Sequence, residues 1–263
     1  MKIVTCVKQV PATDNAAIDP VTKRIVREGL KSILNPFDLY AVEEAVRLRE
    51  RFGGEVIALS MGPEKAAVSL REAISIGADR AVLLSDRAFG GSDTWATSYA
   101  LFSAIDTIGD VDLVICGKQA VDGDTAQVGP GIAAHFDWHQ ATYVTEICGY
   151  KDGCITVVRM NEKGSDICEL RLPSVLTVVK GINVPRVPTL KGVLAANAAN
   201  IFVWKPADIG ADLDKIGLDP SPTRVVRTQP PPPRDGVTEH IEGSPVESAG
   251  QLITSLRRRG LIG

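Results

Sequence analysis

The feature that most constrains the fold of this chain is an alternation, through its first 140 residues, between short apolar runs and segments with helical periodicity. Strands are predicted at residues 2–10, 55–61, 80–84 and 111–116, and helices at residues 36–51, 63–76, 94–108 and 127–136. Nearly continuous apolar strands are typical of a sheet that is buried on both faces. The pattern therefore predicts an α/β fold, with a Rossmann-like parallel sheet and helices on both faces.

The pattern changes after residue 140. Short segments at residues 141–148, 155–159 and 167–172 are joined by polar turns, which predicts antiparallel strands added to the sheet edge. Residues 174–179 predict one more buried strand. We therefore expect one α/β domain that covers residues 1–182.

The remaining residues, 183–263, are predicted to form an extended arm. Several prolines interrupt this part of the chain, and the four consecutive prolines at residues 230–233 predict polyproline II. Only residues 248–260 have a helical pattern, so the arm cannot bury much of itself. Apolar residues at 201–204 and 252–256 favour an arm that wraps another surface, and disorder is the alternative.

The composition argues against several classes of function. A net charge of -3 does not suit nucleic acid as a main partner, because phosphate binding needs a basic surface. No apolar stretch approaches the roughly 20 residues of a membrane-spanning helix. The five cysteines are odd in number and form no CxxC pair, which favours reduced thiols over a disulfide framework or a zinc site. The N-terminus lacks a signal-peptide pattern, so we expect a cytoplasmic protein.

The segment of residues 117–130, GKQAVDGDTAQVGP, is the strongest candidate for a ligand site. It follows the predicted strand at residues 111–116 and leads into a predicted helix, and ligands of parallel sheets bind at that edge. The helix N-terminus would offer free N–H groups to a phosphate, with Thr125 as its N-cap or as a phosphate ligand. Gly123 and Gly129 would allow close backbone approach. A capped surface loop is the alternative, because neither GxGxxG nor a Walker A pattern is present.

Two more loops, residues 61–63 (MGP) and 89–94 (FGGSDT), lead from a predicted strand into a helix. Thr94 and Thr97 lie about one turn apart and would share a helix face. The alternative for each loop is a plain connection between a strand and a helix.

Asn35 precedes the first predicted helix and carries an amide that suits an adenine or ribose edge. The alternatives are a helix cap for Asn35 and a first-turn acid for Asp38. The three histidines show no metal-ligand spacing, and no acid–base constellation is recognisable. Redox chemistry in this protein would therefore belong to a bound cofactor.

Several short motifs follow one another along the chain: residues 6–11 (CVKQVP), 35–38 (NPFD), 41–45 (AVEEA), 117–130, 172–177 (LPSVLT) and 221–224 (SPTR). In this order they resemble the β subunit of electron-transfer flavoproteins over essentially the whole chain. The resemblance implies an αβ heterodimer whose β chain has an adenine-nucleotide-binding core. One group of the family holds AMP in that core. A second group holds a whole FAD and carries out flavin-based electron bifurcation with NADH.

The sequence looks like the second group, because residues 122–130 read DGDTAQVGP and residues 90–94 read GGSDT. On that resemblance, the residues around the adenosine and phosphates of the flavin are Cys6, Asn35, Asp122, Gly123, Thr125, Gln127, Val128 and Gly129. The residues that line the NAD(H) site are Met61, Gly62, Gly91, Thr94 and Thr97.

The resemblance also implies partners. The arm would embrace the α subunit, and Leu190 matches the loop that docks on a flavin-dependent dehydrogenase of the acyl-CoA or lactate type. The alternative for Leu190 is an ordinary loop hydrophobe. Electrons from NADH would divide between ferredoxin or flavodoxin and the dehydrogenase, so the chain would be a redox-active subunit rather than an enzyme in isolation.

Two alternative functions stay open at this point. The first is a non-bifurcating β subunit that holds AMP and shuttles single electrons. The second is a nucleotide-binding regulatory module without a redox role.

Overall fold

The computed structural model describes residues 1–12, 32–226, 236 and 238–263. The contacts divide the chain into two units, Met1–Arg227 and Thr228–Gly263. The predicted division at residue 182 is therefore too early, because the residues that follow it pack with the α/β unit.

The strands and helices within the described residues have the following bounds. The strands are β1 Lys2–Cys6, β2 Gln9–Pro11, β3 Ser32–Leu34, β4 Glu55–Met61, β5 Arg80–Leu84, β6 Leu113–Gly117, β7 His139–Lys151, β8 Cys154–Asn161, β9 Gly164–Arg171, β10 Ser174–Val178 and β11 Phe202–Trp204. The helices are α1 Pro36–Phe52, α2 Ala67–Ile76, α3 Thr94–Ile108, α4 Val128–Phe136, α5 Leu190–Ala198 and α6 Pro245–Arg258.

In the described part of the chain, nine strands form one sheet in the order β11-β5-β4-β1-β6-β10-β7-β8-β9. The seven strands from β11 to β7 are parallel, and β8 and β9 continue the sheet as antiparallel strands. This architecture confirms the predicted α/β fold with a Rossmann-like parallel sheet and added antiparallel strands.

Helices cover both faces of the sheet. Consecutive side chains of β1 point to opposite faces of the sheet. Ile3 lies in a first hydrophobic core, under α1 and α2, and Val4 lies in a second core, under α3 and α4. The first core also includes Leu70 of α2, and the second includes Ile132 of α4. Because both faces are covered, the strands need no polar side, which explains their nearly continuous apolar sequence.

Two strand predictions need correction. The predicted strand at residues 2–10 is two strands, because the backbone N–H of Lys8 leaves the ladder and donates to the Asp38 carboxylate at 2.8 Å. β2 then pairs with β3 in a separate antiparallel ribbon. The predicted segment at residues 141–148 belongs to β7, which pairs parallel with β10 and is antiparallel only to β8.

The sequence pattern does not predict α5 and β11, which lie in the expected arm. Arg71 of α2 donates to the carbonyls of Asn197 and Ala199 at 3.3 and 3.2 Å, and this holds the end of α5 against α2. β11 then pairs with β5 at the sheet edge, where Phe202 lies opposite Val82. The apolar residues at 202–204 therefore add an edge strand to the sheet.

The second unit contains α6, which confirms a helix near the predicted residues 248–260. Its N-cap Ser244 and Glu247 form a reciprocal capping box, and Pro245 occupies the first turn. The prediction of polyproline II at residues 230–233 lies outside the described residues. No helix among the described residues is long and apolar enough to cross a membrane.

Candidate functional site

The strand order places a crevice at the carboxyl ends of β1 and β6. From β1 the chain builds outward through β4 and β5, then returns to the other side of β1 as β6. At such a switch point the connections leave in opposite directions, and open α/β sheets bind ligands there. The segment of residues 117–130 follows β6 and therefore lies at this crevice.

Cys6 and Cys116 form the floor of the crevice, because they lie opposite each other at the ends of β1 and β6. Both thiols are free and buried. A hydrogen bond with Cys116 and burial both raise the pKa of the Cys6 thiol, so Cys6 is a neutral, packed residue. The structure thus places Cys6 at the predicted site, beneath its surface.

Asn35 shapes the loop that follows β6. Its side-chain amide donates to the Gln119 carbonyl and to Asp38, both at 2.9 Å, and its side-chain oxygen accepts from the Val121 N–H at 3.2 Å. Both amide hydrogens are therefore used inside the chain, which leaves none for an adenine or ribose edge. Asn35 also occupies the N-cap position of α1, as the helix-cap alternative expects, although it caps the helix through its backbone carbonyl and not through its side chain.

Asp38 is a second structural residue of the crevice. It is buried and accepts hydrogen bonds from the Lys8 backbone and the Asn35 side chain. Burial raises the pKa of the Asp38 carboxyl to about 7, and the hydrogen bonds from Asn35 and Lys8 oppose that shift. Gly117 has no side chain, which leaves room for the start of α1 beside it. A Cβ on Gly117 would lie 2.7 Å from the Phe37 carbonyl carbon and 2.8 Å from the Asp38 backbone nitrogen.

The loop presents backbone N–H groups where an anion would bind. Asp124 and Ala126 both have a φ of +54°, a left-handed conformation that is uncommon for residues other than glycine. Within the described residues, the N–H groups of residues 125–127 have no hydrogen-bond acceptor. The first turn of α4 adds further free N–H groups at the positive end of the helix dipole. This backbone fits a phosphate or pyrophosphate.

The structure separates the roles of the predicted residues in this loop. Thr125 is exposed and is not the N-cap of α4, because Gln127 holds that position. Gly123 has open space around it, consistent with a ligand-facing surface. Gly129 is buried, and a Cβ there would lie 2.6 Å from Thr177 Cγ2, so its function is to let α4 approach the sheet. Val128, the first residue of α4, is half-buried beside it.

Asp122 lies on the exposed rim of the same loop. Its carboxylate forms an ion pair with the Lys8 ammonium at 2.7 Å. This pair ties the loop to the residues that follow β1, across the crevice.

The loop of residues 89–94 meets the loop of residues 117–130 directly. Thr94 Oγ1 donates to Gln127 Oε1 at 3.0 Å. Asp93 caps α3 by accepting from the N–H groups of Trp95 and Ala96, which fixes the position of Thr94. Thr97 is half-buried one turn further along α3. The predicted flavin loop and the predicted NAD loop are therefore parts of one surface.

Met61 and Gly62 lie at the end of β4, on the same edge of the sheet. The Gly62 N–H donates to the Leu84 carbonyl at 3.0 Å. No hydrogen bond among the described residues joins this turn to the contact between Thr94 and Gln127.

Residues 217–223 pack over the loop of residues 89–94, a contact that the sequence did not predict. Asp93 Oδ2 accepts from both the N–H and the Oγ1 of Thr223 at 2.9 Å. The Asp93 N–H donates to Ser221 Oγ at 2.9 Å. Gly91 has a φ of +79°, and a Cβ there would lie 2.9 Å from Leu218 Cβ. The one sequence signal for this contact is the SPTR motif at residues 221–224.

Leu190 is the first residue of α5 and lies outside the crevice. Its helix is capped by Thr189, whose hydroxyl oxygen accepts from the Gly192 N–H at 3.1 Å. The Leu190 side chain is exposed, as a docking residue would be.

The histidines and acids do not form a metal site in the described part of the chain. His135 packs against the rings of Trp95, Tyr99 and Phe102. Burial lowers the pKa of its imidazole, which makes His135 a neutral packing residue.

Comparison with known proteins gives the family. Residues 22–209 match the family model described as electron transfer flavoprotein domain. The electron transfer flavoprotein subunit beta of Thermoanaerobacterium thermosaccharolyticum is 46% identical, with 100% of both chains covered. The caffeyl-CoA reductase-Etf complex subunit CarD of Acetobacterium woodii is also 46% identical, with 100% of both covered. Protein FixA of Sinorhizobium fredii is 44% identical, over 97% of this chain and 93% of its own.

Members of this family associate with a flavin or nucleotide, and their β subunits pair with an α subunit. Together, the family match and the relatives show that this chain belongs to the electron transfer flavoprotein family, among its β subunits.

Proposed function

We propose that this chain binds FAD at the carboxyl ends of β1 and β6 and NAD(H) beside it, and that it takes part in electron bifurcation. The observation that carries the proposal is the hydrogen bond between Thr94 and Gln127. It joins the loop expected to hold the flavin to the loop expected to hold the nicotinamide nucleotide. Two cofactors on these loops would lie side by side, as hydride transfer between them requires.

The residues of the crevice fit the ADP half of a flavin. The free N–H groups at residues 125–127 and at the start of α4 would bind the pyrophosphate, and Thr125 is exposed where its hydroxyl would donate to a phosphate oxygen. Lys8 and Asp122 would border the site at its rim. When bound, the flavin supplies the two-electron and one-electron chemistry, and the chain supplies position and electrostatics.

The proposed partners follow from the family. An α subunit, embraced by the second unit of this chain, would receive one electron and pass it to a flavin dehydrogenase of the acyl-CoA or lactate type that docks at Leu190. Ferredoxin or flavodoxin would receive the other electron. The name of CarD places that relative in a caffeyl-CoA reductase-Etf complex, which supports a dehydrogenase-linked function here. We place the complex in the cytoplasm.

The proposal is tested on the purified αβ heterodimer. We expect two FAD molecules per heterodimer and oxidation of NADH when ferredoxin or flavodoxin and the dehydrogenase are both supplied. One FAD with one AMP, and no reaction with NADH, would instead establish the non-bifurcating shuttle. A regulatory module without a redox role would contain no flavin, and membership of this family argues against it.

Thr94→Val is the matched test of the nicotinamide site. It removes the hydroxyl that donates to Gln127 and keeps the side-chain volume. We expect a higher KM for NADH, by about tenfold for the loss of roughly 1.4 kcal/mol, with the flavin content unchanged. Thr107→Val on α3 is the control, because Thr107 bonds only the Ser103 carbonyl of its own helix. An unchanged KM in Thr94→Val would contradict the proposed NAD(H) position.

A further inference from the structure

The segment of residues 183–189 exposes apolar side chains without regular secondary structure. Val184, Val187 and Leu190 are 82%, 85% and 77% exposed. Leu194, one turn further along α5 than Leu190, is also exposed. We refer to these four residues as the docking surface. Four large apolar side chains exposed within eleven residues are available for contact with a partner. Fixing the directions of these side chains before binding lowers the entropy cost of ordering them against a partner.

Arg186 holds the middle of this segment on α1. Its backbone N–H and Nε donate to Glu43 Oε2 at 3.1 and 2.9 Å, and its Nη2 donates to Glu43 Oε1 at 3.1 Å. The same guanidinium donates to the two carboxylate oxygens of Glu50 at 2.6 and 3.0 Å. Arg186 therefore bridges two carboxylates of α1 that lie two turns apart.

Asn183 provides a second connection at the start of the segment. Its side-chain amide donates to the Tyr40 carbonyl at 3.0 Å and to Glu44 Oε2 at 2.8 Å. Val184 directly follows Asn183, and Val187 directly follows Arg186. Both valines are therefore next to a residue that is hydrogen-bonded to α1. We refer to Glu43, Glu44, Glu50, Asn183 and Arg186 as the clamp.

The clamp attaches the loop to α1 mainly through charged side chains. Glu43 is a buried acid, and its charge is balanced by Arg186 and by Arg47 on the next turn. A buried ion pair contributes little net stability compared with well-packed apolar residues of similar volume. The ion pair instead fixes the orientation of the loop, because the planar guanidinium binds carboxylates in a geometry that neither a lysine nor an apolar side chain reproduces.

We propose that Arg186 and Glu43 are positioning residues for the partner dehydrogenase, because they fix the direction in which the docking surface is presented. The proposal rests on the docking role of Leu190 in the proposed function. The AVEEA motif of α1 thereby has a function in partner recognition, at a distance from the nucleotide crevice.

The first test is Arg186→Lys in the co-purified αβ heterodimer. A lysine keeps the charge but cannot bridge Glu43 and Glu50. Thermolysin cleaves on the amino side of apolar residues that are not followed by proline, so we expect the cut before Leu190 to become about tenfold faster, as expected for a locally loosened segment. Arg80→Lys is the control, because Arg80 pairs with Glu55 on another part of the sheet. Wild-type cleavage rates in this segment, or faster cleavage throughout both subunits, would overturn the proposal.

The second test measures recognition with a flavin-dependent acyl-CoA or lactate dehydrogenase of the source organism as the electron acceptor. We expect Arg186→Lys to raise the KM for the dehydrogenase about tenfold, with kcat and flavin content unchanged. The double variant with Leu190→Ala should raise the KM by less than the product of the two single effects, because Arg186 acts through the surface to which Leu190 belongs.

Additive effects of Arg186→Lys and Leu190→Ala would overturn the proposal. An unchanged KM in Leu190→Ala would also overturn it, together with the docking role of Leu190. If the wild-type heterodimer contains no FAD in this chain or does not oxidise NADH, that result would instead count against the proposed function alone.

Discussion

At the scale of single residues, the crevice depends on side chains that need not touch a ligand. Asn35 and Asp38 lie at the start of α1, and Asn35 holds Gln119 and Val121 of a loop more than 80 residues away in the chain. Removing either side chain would leave partly buried backbone groups of Lys8 or of the loop without these partners. Residues that shape the loop and residues that would contact the ligand should therefore respond differently to substitution.

Asn35→Ala and Thr125→Val separate these two functions. Asn35→Ala should lower both the thermal stability of the heterodimer and its flavin affinity, because it removes a hydrogen bond to the buried Asp38 carboxylate, at a cost of about 1–3 kcal/mol, and releases the loop at Gln119 and Val121. Thr125→Val should weaken flavin binding by about 1–2 kcal/mol with the melting temperature of the flavin-free protein unchanged. Flavin content after dilution and gel filtration, together with melting curves, distinguishes them. Equal flavin retention in Thr125→Val and the wild type would remove Thr125 from the site.

Asp38 should make the stability of the protein depend on pH. The pKa of its carboxyl is raised to about 7 in the folded protein, compared with about 3.9 in an unfolded chain. Between these two values the folded state binds the extra proton, so stability falls as the pH rises towards 7. The melting temperature of the wild type relative to Asp38→Asn should decrease from pH 5 to pH 7. Asp106→Asn, on the exposed side of α3, is the control and should show no such trend.

At the scale of elements, the position of α4 determines where its free N–H groups point. The helix approaches β10 closely because Gly129 has no side chain, and Thr177 occupies the space beside it. A phosphate that binds at the start of α4 depends on this separation, since charge–dipole attraction acts mainly over the first turn.

Gly129→Ala should push α4 away from β10. The added Cβ would lie 2.6 Å from Thr177 Cγ2, and overpacking of this kind costs about 1–3 kcal/mol. We expect a lower melting temperature and weaker flavin retention. The double variant Gly129→Ala with Thr177→Ser should recover both, because serine lacks Cγ2 and keeps the hydroxyl that accepts from the Tyr143 N–H. Failure of the serine to restore stability would show that another contact limits the helix.

Whether an element could be predicted from the sequence depends on how far apart in the chain its interacting residues are. The central strands were predicted because burial on both sheet faces leaves a continuous apolar pattern, and helices α1 to α4 because their apolar residues recur at helical spacing. β11 has three residues and is defined by pairing with β5 more than 100 residues earlier, which no local pattern records. The sequence also predicted that the loop of residues 117–130 lies at the carboxyl edge of the sheet, because the loop directly follows an apolar strand. The roles of Asn35, Asp38 and Ser221 depend on partners distant in sequence, so they were visible in the structure alone.

At the scale of the whole molecule, the chain consists of an α/β unit and a second unit that begins at Thr228. Residues 183–226 belong to the first unit because β11 extends its sheet and Thr223 is bonded to Asp93 beside the crevice. The division bears on the proposed contact with an α subunit, because the second unit contributes no strand to the main sheet.

Two truncated chains test this division. A chain that ends at residue 227 keeps every strand of the main sheet, so it should fold alone with a cooperative melting transition, yet fail to co-purify with the α subunit. A chain that ends at residue 182 loses α5 and β11, which leaves β5 as an unpaired edge and exposes the α2 surface that Arg71 joins to α5. Unpaired strand edges promote aggregation, so this shorter chain should be insoluble. Co-purification of the 227-residue chain with the α subunit would show that the α/β unit carries the subunit contact instead.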